Sequence, residues 1–462
     1  MAELKYDKSG RLLFTKEMKQ EYQILMPQML PIHFELIKNV LRLHGYNVKL
    51  LTSTDSEAIR LQGLENVHND TCYPALLVIG QMLDALKSGE YDLNKTALVI
   101  TQTGGGCRAS NYIHLLRKAL RRSGMEQVPV ISVNLSGLEK NPGFKWSFRL
   151  IRELVASAMY GDILMLLRNQ VRPYEVTEGD AQRLTDEWVL RLSEEFKNGR
   201  GLKQKEMVVH FNNIVKDFAK LPVNRTEKVK VGIVGEIYIK YSPLGNNNLE
   251  EFLLSEGAEV FVPGLMDFII FKIDNRIEDY RLYGGKRPVR FFASKLMKYV
   301  LHCQRLMLDA VRTEPSFYVP GGYEHLKALV NGYIGYGAKM GEGWLLTAEM
   351  LELIADGVGN IVCAQPFGCL PNHVVGKGMV RSIKTKHPEA NIVAIDYDPG
   401  ATKVNQENRI KLMLAVARSK MEKEHASMAE DWENTPLVQD PHLSELGEKA
   451  VQNREQEKTP AL

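Results

Sequence analysis

Apolar positions along this chain follow two alternating patterns. Short aliphatic runs, rich in Val, Ile and Leu, alternate with longer stretches in which apolar residues recur every three to four positions. The first pattern predicts buried strands and the second amphipathic helices. In the first third, the strand candidates are Tyr22–Met26, Tyr46–Leu51, Thr96–Thr101 and Val128–Val133. Helical patterns fall between them at Ile32–His44, Tyr73–Ser88 and Tyr112–Ser123. A mostly helical stretch follows from Phe148 to about Lys220. Its interspersed charges over Glu178–Lys205 predict a solvated face carrying opposite-sign pairs.

Leu221-Pro222-Val223-Asn224-Arg225 is the best linker candidate, and a second alternating unit begins after it. Its predicted strands are Lys228–Val234, Glu259–Val262, Asn360–Cys363 and Asn391–Ile395. Its predicted helices include Leu249–Ser255, Ala293–Val311, Trp344–Ala355 and His373–Lys386. Strands alternating with helices indicate βαβ units and parallel sheets. The expected architecture is α/β, with two doubly wound, Rossmann- or flavodoxin-like domains facing a crevice. Residues 1–150 form the first domain, 151–222 a helical segment and 223–402 the second domain. Residues 403–462 form a C-terminal helix and a charged, disordered tail, since the stretch from about Met421 carries Pro436, Pro441 and Pro460 and little apolar periodicity.

A length of 462 residues exceeds one compact core, which agrees with several domains. The net charge of +3 gives no bulk attraction to nucleic acid, and no nucleic-acid partner is expected. Apolar stretches such as Ala75–Leu86 and Trp344–Ile354 are too short or too interrupted to cross a bilayer, and no membrane partner is expected. The first residues, Met1–Lys19, lack a basic segment followed by an apolar one, so a cytoplasmic location is expected. The five cysteines then read as reduced thiols.

Three of these cysteines follow a strand or loop and open a predicted helix: Cys72 in Asn69-Asp70-Thr71-Cys72-Tyr73-Pro74, Cys107 after Gly104-Gly105-Gly106, and Cys369 after Gln365-Pro366-Phe367-Gly368. The positive end of a helix favours a thiolate, the form that binds metal. Ligands of open parallel sheets bind beyond the carboxyl ends of strands, where Cys107 and Cys369 are expected. Three remote thiolates suggest one iron–sulfur cluster, [4Fe–4S], with one iron left open. Cys363 is the alternative to Cys369, but it falls inside a predicted strand, where a cysteine is usually a small hydrophobe. Cys303 lies among Leu301, Leu306 and Met307 and reads as core. Structural zinc favours closely spaced cysteine pairs, and none occurs here. A double cubane with three thiolates per cubane would need six cysteines.

Other residues have two readings each. Gly104, Gly105 and Gly106 could cradle a phosphate or donate amides to a cluster's sulfides, although the spacing matches no standard phosphate loop. Arg108 could offset cluster charge or bind a phosphate. Glu236, at the end of a predicted strand, is either a general base or a structural cap. His373 could donate to a sulfide or a substrate oxygen, or be a solvated first-turn histidine.

Thr103–Tyr112 (TGGGCRASNY), Leu138–Lys145 (LEKNPGFK), Gly235–Leu249 (GEIYIKYSPLGNNNL) and Cys363–His373 (CAQPFGCLPNH) resemble the 2-hydroxyacyl-CoA dehydratase superfamily, which includes benzoyl-CoA reductase subunits. They resemble above all its activase-related branch. The resemblance covers about residues 20–415. It implies a [4Fe–4S] cluster held by Cys72, Cys107 and Cys369. It also implies a separate ATP-dependent activase, with its own iron–sulfur cluster, that delivers one low-potential electron. The electron would pass to the carbonyl of an acyl-CoA thioester, giving a ketyl radical anion and then dehydration or reduction. Relatives pair two such subunits, so a homodimer or a heterodimer with a similar subunit is allowed for. A chain that transfers electrons to, or assembles clusters for, an activase without touching a CoA ester is the competing expectation.

Overall fold

The strands form where aliphatic residues leave no polar face. In Thr96–Thr101, Ala97 to Ile100 are all buried, and Ile361 to Ala364 are likewise buried within Asn360–Pro366. Strands covered on both faces are those of parallel sheets with helices packed around them. The computed structural model describes residues 2–68, 70–103, 105–134 and 138–434, with backbone alone from 428. It contains two four-stranded parallel sheets, so the α/β expectation holds at that level.

The first sheet comprises β1 (Gln23–Pro27), β2 (Asn47–Leu51), β3 (Thr96–Thr101) and β4 (Val130–Val133), ordered β2-β1-β3-β4. The second comprises β5 (Lys230–Gly235), β6 (Glu259–Phe261), β7 (Asn360–Pro366) and β8 (Asn391–Tyr397), ordered β6-β5-β7-β8. The two orders are the same. In each sheet the chain lays its second strand on one side of its first and then reverses, which places a switch point between β1 and β3 and another between β5 and β7. Registers are regular, with Gln23 beside Asn47 and Thr96, and Gly235 beside Ala364.

Helices Phe148–Val171, Asp180–Lys197 and Gln204–Ala219 make up the segment between the sheets and share one hydrophobic core with β1 and helix Pro31–Leu43. Buried Asp162 of the first of these helices binds His33 at 2.8 Å and accepts the amides of Leu265 and Met266 at 2.7 and 2.8 Å. One carboxylate thereby ties the first sheet's helix to the start of helix Leu265–Tyr283. That helix and Arg287–Arg312 form a long hairpin turning at Gly284-Gly285. A second apolar cluster, including Val234, Leu346, Met350 and Ile361, fills the space beside the second sheet.

Several helices depart from expectation, Ser56–Asn66 and Tyr323–Leu329 among them. Leu265–Tyr283 was not foreseen, and Arg287–Arg312 starts six residues before the predicted Ala293. The predicted single helix His373–Lys386 is broken into a π-helical turn, Asn372–Gly376, a 3-10 turn, Lys377–Met379, and an α-helix, Val380–Lys386. Gly376 and Gly378 weaken the run, and the Val375 carbonyl is taken by the Thr347 hydroxyl at 2.7 Å. The chain divides into two units, Met1–Leu414, which contains both sheets, and Ala415–Leu462, which begins within helix Lys403–Asn434. The tail predicted to be disordered lies, from 435 onward, outside the described residues.

Candidate functional site

Cys72 caps helix Tyr73–Lys87 from an extended conformation, with Pro74 in the first turn. Proline suits that position because its missing N–H would be unpaired there anyway. The Tyr73 amide donates to the Phe367 carbonyl at 3.0 Å, so the loop after β7 runs against this helix start. Gly368 makes the approach possible. It has φ of +75°, and a Cβ built on it would stand 3.1 Å from Cys72 Cα. Arg108 donates to the Asp70 carbonyl and holds the loop after β3 to the same helix start. The loops carrying Cys72, Cys107 and Cys369 thus meet at one helix start, although the residues are far apart in the chain.

Their sulfurs share an electrostatic neighbourhood. The charge of Cys107 acts on Cys72, and that of Cys72 on Cys369. Glu236, at the carboxyl end of β5, acts on all three, while Glu342 acts on Cys107 and Cys369. Cys72 and Cys369 are buried and Cys107 is partly exposed. Cys72 Sγ also shares a hydrogen bond with the buried Tyr112 hydroxyl at 2.7 Å.

The helix-end argument for thiolates does not hold for the protein alone. Only Cys72 caps a regular α-helix; Cys107 precedes the short 3-10 turn Arg108–Ser110, and Cys369 the π-helical turn. Burial pushes the Cys72 thiol up to about 11, raises Cys107, and pushes Cys369 further still, with Glu236 adding to all three. Desolvation of the charged form outweighs the partial charge of a helix end. A bound cation reverses that balance, because a coordinating thiol is deprotonated outright.

Glu236 caps the short helix Ile237–Tyr241, its Oε2 accepting the Ile239 amide at 2.9 Å. Burial, and then the charge of Glu342, push its carboxyl up to about 8. Glu342 in turn accepts the Ile237 amide at 3.1 Å. Lys272, on the unforeseen helix, donates to the Gly341 carbonyl, and burial lowers its proton affinity.

The remaining predicted residues are placed less centrally. Gly104 lies outside the described residues. The Gly105 amide donates to Ser110 Oγ at 2.9 Å, which occupies a donor that the anion-cradle reading required. Gly106 faces the Met340 sulfur. The exposed His373 ring bonds Gln365 at 2.5 Å, and Gln365 donates to Asp396 at 3.0 Å, so its contacts run toward β8. Cys363 is fully buried in β7, with Asp396, Glu349 and Lys377 as its charged surroundings and none of the other cysteines among them. Cys303 packs in the core.

Tyr112, Glu342 and Lys272 were not singled out in the sequence. Tyr112 stood within the quoted TGGGCRASNY stretch, five residues past Cys107. That position is the one signal the sequence offered; Glu342 and Lys272 carry none.

Among the described residues, no group of three or more His, Cys, Asp or Glu side chains is placed to hold a metal ion. A lone zinc ion, whose donors must all stand within about 2.3 Å of one point, therefore does not fit. A polynuclear cluster makes a different demand, because each thiolate binds a different iron and the sulfurs stand apart. Thiolate-only donors are of the type that iron–sulfur clusters take, and in that chemical sense Cys72, Cys107 and Cys369 fit the group. No protein-family model matches the chain, and neither does any curated protein.

Proposed function

We propose that this chain is an iron–sulfur protein of the 2-hydroxyacyl-CoA dehydratase type, acting in the cytoplasm. It would take an electron from a separate ATP-dependent activator and dehydrate or reduce an acyl-CoA thioester. The observation that carries this reading is the meeting of three cysteine loops beside Glu236. Two of them leave the carboxyl ends of parallel strands, where open α/β sheets bind their ligands.

Cys72, Cys107 and Cys369 would hold a [4Fe–4S] cluster, which when bound supplies a one-electron donor with a free iron facing substrate. The chain's own residues set the surroundings. Tyr112 bonds the Cys72 sulfur from the protein side and fixes its direction. Glu236, held by backbone amides of the helix it caps, would be the carboxyl that meets a substrate oxygen. Lys272 places a cation near Cys107 and Glu342, where an anionic substrate gains from it. Exposed Phe367, Leu370 and Val374 on the Cys369 side offer apolar contact to an acyl chain or to the activator.

Anaerobic purification from a cluster-competent host, with iron and sulfide analysis and EPR, tests the reading. The expected result is a brown protein whose EPR signal changes when an acyl-CoA is added. Loss of the chromophore is expected in the triple Cys72→Ser, Cys107→Ser, Cys369→Ser variant, and its retention in Cys303→Ser and Cys363→Ser. An iron-free wild-type protein would overturn the reading. A signal indifferent to every acyl-CoA would leave an electron carrier or assembly partner instead.

A further inference from the structure

The hairpin formed by helices Leu265–Tyr283 and Arg287–Arg312 ends in an exposed tip rich in large apolar side chains. Every residue from Arg281 to Phe292 is exposed. Among them are Leu282, Tyr283 (69%), Val289, Phe291 (58%) and Phe292 (70%), with Leu296 one turn further on. Scattered single hydrophobics on a surface are ordinary, but six large ones on one protrusion are not.

Their arrangement narrows what could cover them. Val289, Phe292 and Leu296 share one stripe of the second helix, while Phe291 stands about 100° round from Phe292. Leu282 and Tyr283 come from the other helix, across the Gly284-Gly285 turn. The tip is therefore apolar on several sides, a wedge and not a flat face. The stripe runs inward to the buried Val300, Cys303 and Met307, which fix the base of the second helix in the core. That helix has 26 residues and a length of about 39 Å.

The charge is one-sided. No Asp or Glu occurs between Tyr280 and Leu308. Lys286, Arg287, Arg290, Lys295 and Lys298 have no carboxylate partner among the described residues; Arg290 lies over the Tyr280 ring and Lys295 over Phe291. A second copy of this hairpin would set unpaired cations against like cations, so charge disfavours self-pairing. A wedge that is apolar on several sides and collared by cations fits a medium that closes around it and presents anions at its surface.

We infer that the tip of this hairpin docks on an anionic phospholipid bilayer. Phe291 and Phe292 enter the boundary between headgroups and acyl chains, with Tyr283 beside them against Gly337 and under Lys339, while the Lys and Arg side chains reach back to lipid phosphates. This is contact with a surface and not a crossing: among the described residues, no helix is long and apolar enough to span a membrane. It departs from the expectation of no membrane partner, which rested on the absence of a spanning stretch alone. It does not depend on the iron–sulfur reading.

Co-sedimentation of the full chain with vesicles of phosphatidylcholine, with and without phosphatidylglycerol, tests it. Binding is expected only to vesicles containing phosphatidylglycerol and should weaken as salt rises. It should fall at least about tenfold in F291E/F292E, and roughly fivefold for each cation removed in R290A and K298A. Circular dichroism checks that the variants fold, and the two alanine variants serve if F291E/F292E does not. Cluster-free protein is expected to bind equally, which separates this inference from the iron–sulfur reading. The inference is overturned if the wild type ignores anionic vesicles, or if the variants bind them as well as the wild type does. It is also overturned if the chain does not bind vesicles but self-associates through a contact that F291E/F292E abolishes.

Discussion

The Tyr112 hydroxyl stands 2.7 Å from the Cys72 sulfur, and both groups are buried. Each is the other's hydrogen-bond partner, contributed by the first residue of one helix and the cap of another. Tyr112→Phe removes the hydroxyl and leaves the thiol without it. The expected cost is about 1 kcal/mol of folding stability, read by urea denaturation of the cluster-free protein. No measurable loss would mean that the contact is incidental.

Lys240 and Glu349 form a buried ion pair at 2.8 Å, and Glu349 Oε2 has no further partner. Glu349→Gln is expected to cost about 3–5 kcal/mol, because an uncompensated ammonium is left in the core. The double replacement K240M/E349L should recover most of that loss. Denaturation midpoints of the two variants decide the matter; a double variant as weak as the single one would contradict it.

Asp267 lines a partly enclosed pocket together with Asp162 and Glu352. Burial, with Asp162 and Glu349 nearby, pushes its carboxyl up to about 7, while Gln304 donates to it at 2.8 Å. The folded state therefore binds a proton that the unfolded chain, with its ordinary pKa near 4, has released between about pH 4 and 7. The stability this supplies is complete below about pH 4 and is lost as pH rises through 7. Asp267→Asn should flatten that part of the stability-against-pH curve by up to about 1.4 kcal/mol per pH unit. Urea midpoints measured from pH 5 to 8 give the slope.

Gly368→Ala sets a Cβ 3.1 Å from Cys72 Cα at a φ of +75°. Gly257→Ala is strained at a φ of +77° but meets nothing within 4 Å. Both should lose roughly 1–2 kcal/mol for the left-handed backbone. Only Gly368→Ala should also lower iron content after anaerobic reconstitution, because it pushes the Cys369 loop off the Cys72 helix. Equal iron in the two variants would separate that backbone contact from metal loading.

Much of the fold could be read from the sequence for one physical reason: parallel strands are covered on both faces. Thr96–Thr101 is therefore an uninterrupted aliphatic run, and its boundaries match those expected. Helix Leu265–Tyr283 escaped because it buries Asp274, Asn275 and Glu278 on its inward side. Tyr323 donates a hydrogen bond to Asp274, and Lys327 pairs with both Asp274 and Glu278. Those partners come from a later helix, so local periodicity gives no sign of an inward face. The cysteines could be singled out because each stands at a loop leading into helical structure. Glu342 and Lys272 could not, since they reach the cysteine loops only through tertiary packing. The fall in thiol pKa expected at helix ends does not occur, because burial raises it instead, and burial is a property of the folded molecule that is invisible in a local sequence window.

The repeated strand order has a mechanical consequence. Cys72 and Cys107 belong to one set of four strands and their connections, Cys369 and Glu236 to the other. Anything that grips these side chains at once works as a clasp, adding its binding free energy to the cohesion of the two halves. Removing it should loosen the seam between them while each half keeps its own secondary structure.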